Sequence, residues 1–153
     1  MKDDDSIGTA LRDMWSDAVS DVSGNTFAAS VSPDFVLEGS IFMQPITGRD
    51  SAFAALRASS GIYDSLQFTR ELPGDGRLYL EWEGLALNEK LAGVTVLSLD
   101  AKGKISRAAI HCRPLGAAIA FSKEMRDRLT NVVDPGHFLS ELTLQNSRGA
   151  HDD

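Results

Sequence analysis

Apolar positions near the start of the chain recur at helical spacing. In "DDDSIGTALRDMWSDAVSDV" (3–22), Ile7, Leu11, Met14, Trp15 and Val22 form one stripe, which predicts an amphipathic helix. Acidic residues crowd its start, where the helix dipole favours negative charge. "SGN" at 23–25 breaks the pattern, and "TFAASV" predicts a short helical turn ending at "SPD". "FVLEGSIFM" (35–43) is β-branched and aromatic and predicts the first strand. "QPITGRD" turns the chain into a second long helix, "RDSAFAALRASS", closed by Gly61.

From Tyr63 onward the character changes to β. "DSLQFTREL", "RLYLEWEGLAL", "LAGVTVLSL" and "KISRAAIHCR" predict four strands. "PGDG" and "DAKG" have tight-turn chemistry, with glycine supplying positive φ after aspartate; "LNEK" is a less obvious turn. After Pro114, "LGAAIAFSKEMRDRL" predicts a last helix, "DPGHFLSELTLQ" could add a small one, and "NSRGAHDD" reads as disordered. Helix, short helix, strand, helix, four strands and helix make an α+β order. Consecutive antiparallel strands then form a curved sheet with helices on one face.

Composition narrows the function. The 153 residues suffice for one domain with one sizeable core. No apolar run approaches the roughly 20 residues of a membrane helix. The start, "MKDDDS", is acidic where a signal peptide is basic. A single cysteine excludes an internal disulfide framework and fits a reducing compartment. A cytoplasmic protein is expected. The net charge of −7, without a basic stripe, argues against nucleic acid and anionic membranes. A small neutral or apolar molecule, or another protein, is the expected partner.

"AIHCRPL" (109–115) places His111 against Cys112, the only cysteine. On a regular strand the two point to opposite faces and cannot act as nucleophile and base. Cys112 then reads as a small apolar lining residue. In "LEWEG", Leu78, Leu80 and Trp82 share one strand face, and Tyr79, Glu81 and Glu83 share the other. Burial favours Trp82 inward, because unpaired buried carboxylates are costly. The glutamates would then meet Arg107, His111 and Arg113 as cross-strand pairs on the outer face. An odd-length "LNEK" turn would flip the parity and put Glu83 beside Thr95 as a general acid or base. The three histidines are far apart and none has a second ligand at helical or strand spacing, so no metal site is read.

Three segments, "SPDFVLEG" after the first helix, "PITGRDSAFAAL" and "LSLDAKGKI", resemble the NTF2-like superfamily in order and spacing. That family includes steroid isomerases and SnoaL-like polyketide cyclases. The resemblance covers residues 6–128, leaving 1–5 as an acidic N-terminal extension and 129–153 as a C-terminal one. It implies an α+β cone: a curved, mostly antiparallel sheet wrapped around the N-terminal helices, here with an extra C-terminal helix. It also implies an apolar pocket, a frequent homodimer and no cofactor. In this register Ala108, Ile110 and Cys112 face the pocket, and Trp15, Phe35, Tyr63, Trp82 and Thr95 complete the expected ligand wall. The steroid-isomerase groups map onto Trp15 (a tyrosine there), Gly39 (the proton-moving carboxylate) and Thr95 (the late-strand acid), so all three are replaced. The remaining catalytic candidates are Thr95 as a donor, with Glu38 or Glu83 as acid/base; Glu38 would need a one-residue bulge to reach the pocket. The resulting expectation is a small-molecule-binding protein, either a cofactor-free isomerase, cyclase, dehydratase or hydrolase, or a non-catalytic binding or dimerisation module.

Overall fold

The structure, a computed structural model, describes residues 2–140, with side chains from Ile7 onward. The stretch "NSRGAHDD" lies outside the described residues.

Helix α1 spans Lys2–Ser20, so it runs through the acidic start. Its buried stripe is shorter than the sequence suggested. Trp15 and Ala18 are buried, with Leu11, Met14 and Val19 packed against the core, whereas Ile7 and Val22 are exposed. Helix α2, Asn25–Ser30, starts at Gly24, which has φ of 80° and supplies no capping side chain. Asp21 takes over that role. One carboxylate oxygen accepts from the Ser23 N–H and hydroxyl, the other from the Thr26 N–H and hydroxyl. The Thr26 and Ser23 hydroxyl bonds, in that order, hold the carboxyl down at about 2.

Strand β1 is Val31–Gly39, β2 is the short Ile46–Thr47, and α3 is Arg49–Ile62. The buried positions of α3 include Ala52 and Ala55, small enough to let the helix approach the sheet closely. Strands β3 (Tyr63–Gly74), β4 (Arg77–Ala86), β5 (Glu89–Leu99) and β6 (Ile105–Arg113) follow, and α4 spans Leu115–Arg128. Asp75 and Gly76, both with positive φ, form the two-residue loop between β3 and β4. Leu87 and Asn88 do the same between β4 and β5. Ala86 therefore pairs with Glu89 and Glu83 with Ala92, and the parity of β4 is not flipped.

The six strands form one mixed sheet in the order β2-β1-β6-β5-β4-β3. β1 and β6 run parallel; every other pair is antiparallel. Leu78, Leu80, Trp82, Leu97 and Ala108 are buried on the inner face, beneath the helices. Because β5 separates β4 from β6, the expected pairing of Glu81 and Glu83 with Arg107, His111 and Arg113 does not form. Glu81 instead lies 4.0 Å from Arg70 on β3, and Arg107 is ion-paired with Glu38 on β1.

Residues 129–140, which follow α4, fold back against the loop after β1. A 3-10 turn at Pro135–His137 leads to Phe138, which bridges to Phe42 and meets its ring at 5.6 Å. The Met43 N–H donates to the His137 carbonyl at 2.7 Å. The Ser122 hydroxyl of α4 donates to the Ile41 carbonyl and accepts from the Leu139 N–H, tying the segment to the loop after β1. Among the described residues no helix is long and apolar enough to cross a membrane.

Candidate functional site: a cavity between the helices and the sheet

A cavity of about 430 Å³ lies between α1, α3 and α4 and the inner sheet face. Its deep wall holds Trp82 and Thr95, which are 2% and 3% exposed, together with Phe121 and Met125 of α4. Tyr63, Ile110 and Cys112 line it as well, and Trp15 closes it from α1. Phe35 does not reach this wall. It is fully buried in the neighbouring core, with its ring 6.2 Å from Trp15 and 5.5 Å from Phe27.

Alternation along β4 turns Trp82 inward, and a close approach of backbone fixes its place. Gly93 pairs with Trp82, and a Cβ there would stand 2.7 Å from the indole and collide with the His111 carbonyl. Only glycine leaves the indole room to lie across β5. The indole Nε1 is buried and has no hydrogen-bond partner among the described residues. Tyr63 meets the same indole edge-on at 5.9 Å. Burial, reinforced by Cys112, pushes the Tyr63 phenol well above its usual range. Burial also raises the Cys112 thiol, against a weaker opposing effect of the Ser40 hydroxyl. Both therefore stay protonated at neutral pH, and a protonated thiol is a poor nucleophile. His111 is exposed and Cys112 faces the cavity, so the two form no nucleophile–base pair.

The glutamates lie elsewhere. Glu83 is exposed on the outer sheet face. The Glu38 carboxylate is ion-paired with Arg107, and its backbone pairs in regular sequence, Leu37 with Ala108 and Glu38 with Ala109. No bulge falls there to turn Glu38 inward. At Gly39, the position that the resemblance would give to a carboxylate, a Cβ would collide with the Ile110 carbonyl, so there is no space for a side chain.

A bulge that does reach the cavity lies at the start of β3. Tyr63 pairs with Ala86 and Ser65 with Leu85, leaving Asp64 as the extra residue. Asp64 lines the cavity and, among the described residues, is the one charged side chain that does. Sequence reasoning passed over it because an extra residue in a strand leaves no mark on the hydrophobic pattern. Among the described residues no three His, Cys, Asp or Glu side chains are placed to hold a metal ion.

No protein-family model and no curated protein matches the sequence. Solved structures do match in shape. A steroid delta-isomerase from Pseudomonas aeruginosa superposes with a TM-score of 0.71 at 23% identity, over 81% of this chain and 92% of its own. An uncharacterized protein with a cystatin-like fold from Silicibacter pomeroyi DSS-3 gives 0.65 at 18% identity, over 82% of each chain. An NTF2-like protein of unknown function from Cytophaga hutchinsonii ATCC 33406 gives 0.56 at 13% identity, over 69% of this chain and 92% of its own. The mixed curved sheet, the helices over its concave face and these likenesses agree: the chain has the NTF2-like cone fold.

Proposed function

We propose that the protein binds a small, largely apolar molecule in the cavity between its helices and the sheet. One observation carries this reading. A cavity of about 430 Å³ survives in the middle of an otherwise filled core, and its buried wall is aromatic and aliphatic with a few neutral polar groups. Ligand sites have this composition, in which apolar area supplies affinity and isolated donors fix orientation. Trp82 Nε1 and the hydroxyls of Thr95, Tyr63, Ser16, Ser59 and Ser65 are among the donors available.

The steroid delta-isomerase likeness does not extend this reading to that reaction. The resemblance puts Trp15, Gly39 and Thr95 where steroid isomerases carry their chemical groups, and Glu38 and Glu83 stand outside the cavity. Turnover of the isomerase or cyclase kind would have to draw on Asp64, the wall's one carboxylate. Binding without turnover is the simpler account of a wall whose buried part carries no charge. Association into a homodimer through the outer sheet face belongs to the same proposal. Tyr79 and the charged residues Glu83, Arg107, His111 and Arg113 are exposed there.

N-phenyl-1-naphthylamine, a neutral apolar dye whose emission rises in dry surroundings, tests the binding. One-to-one, saturable enhancement is expected, lost in Ile110→Trp, which fills the cavity. Enhancement that never saturates, or that survives Ile110→Trp, would overturn the reading.

A further inference from the structure

We infer that the cavity selects an apolar molecule bearing an ammonium head, held at the mouth by Asp64; this rests on the binding reading above. The exposed part of the wall marks the mouth. It consists of Ser20 from α1, Ser60 from α3, and Asp64, Ser65 and the apolar Leu66 from the start of β3. The hydrogens of two of these hydroxyls are already committed. Ser20 donates to the Ser16 carbonyl at 2.6 Å and Ser60 to the Leu56 carbonyl at 3.0 Å. What each hydroxyl offers the cavity is a lone pair. Asp64 offers only acceptors too, and the bulge on β3 sets it apart from the ladder.

Ser65 can donate as well as accept, but the Asp64 carboxylate and the two lone pairs give the mouth more acceptors than donors and a negative charge. A head group that fits must bring donors, and a protonated amine brings up to three donors with a positive charge. A carboxylate or phosphate head would bring acceptors against acceptors. Two guanidiniums on the adjoining helices do not reverse the sign. Arg57 donates to the Val19 carbonyl at 2.9 Å, and Arg128 is paired with Glu124 at 3.0 Å; neither lines the cavity. The net charge of −7 favours approach of a cation over an anion. The deep wall complements the mouth, since its aromatic rings suit the apolar body.

Three probes that share one ring system separate this inference from the reading beneath it. They are 2-(2-naphthyl)ethylamine, 2-(2-naphthyl)ethanol and 2-naphthylacetate, each titrated calorimetrically into the full chain at low salt. The amine is expected to bind roughly two- to fivefold more tightly than the alcohol, as one screened ion pair allows, with the acid weakest. Asp64→Asn should bring the amine's affinity down to the alcohol's, and an unchanged far-ultraviolet circular dichroism spectrum reports that the variant is folded. Equal affinity for amine and acid, or an amine preference that survives Asp64→Asn, would overturn the ammonium assignment and leave the binding reading standing. Failure of all three probes to bind would overturn both.

Discussion

Two neighbouring parts of the same interior are built from the same kinds of residue and differ in one respect: the first is full and the second is hollow. In the full part Phe27 stands between Phe35 and Phe53, at 5.5 and 5.2 Å, and Trp15 closes on both Phe27 and Phe35. In the hollow part Tyr63 stands between Trp82 and Phe121, at 5.9 and 5.0 Å, and the space beyond them is the cavity. Trp15 belongs to both. Aromatic content therefore does not distinguish core from site in this fold. What differs is the polar groups. The full part is closed around aromatic rings, whereas the hollow part has an indole N–H without a partner, a phenol, a thiol and a threonine hydroxyl.

The contrast can be broken by substitution. Phe35→Ala should be the most damaging change, because nothing adjacent can collapse into the space. A loss of about 3–5 kcal/mol is expected in denaturant unfolding. A loss under about 1 kcal/mol would mean that the full part is looser than its ring distances indicate. Gly93→Ala should cost about 3 kcal/mol, since its Cβ displaces the indole toward the cavity and also meets the backbone carbonyl of His111, which must shift with β6. Its signature would be a shifted tryptophan emission together with weakened dye binding. Unchanged emission would show that the indole does not rest on Gly93 as described. Glu83→Gln, on the exposed face, should change stability by no more than about 0.5 kcal/mol. It should leave dye binding untouched; lost binding would place Glu83 at the cavity after all. Sedimentation of the unaltered chain at tens of micromolar (on the order of a usual assay concentration) should give a dimer, and a monomer there would remove the outer face as an interface.

How much of this was legible in the sequence depended on the range of the pattern involved. The alternation of Leu78, Leu80 and Trp82 against Tyr79, Glu81 and Glu83 is local, and it correctly separates the buried face of β4 from the exposed one. So does the alternation that puts Ile110 and Cys112 on the cavity and His111 outside. Partners across the sheet are not local. The parallel pairing of β1 with β6 joins segments some 70 residues apart, so Glu38, and neither Glu81 nor Glu83, became the partner of Arg107. The return of Phe138 to Phe42 is equally distant and left no periodic trace. Phe35 and Tyr63 are both aromatics beside strand residues. Only the packing shows that one fills a space and the other borders one. Asp64 was hidden because a bulge is a departure from register, and a single chain read alone has no register to depart from.

The segment folded back beyond α4 has a thermodynamic consequence. It grips the loop that carries Ile41 and Phe42, and both of those residues line the cavity. Release of the segment and occupation of the cavity are thus linked equilibria sharing one stretch of wall. Whatever favours the gripped arrangement of Phe42 by binding to it must, by reciprocity, fasten Phe138 and Leu139 in the same proportion. The tail is in that sense an intrinsic reporter of cavity occupancy, and slower amide exchange at Leu139 would register a guest that never touches it.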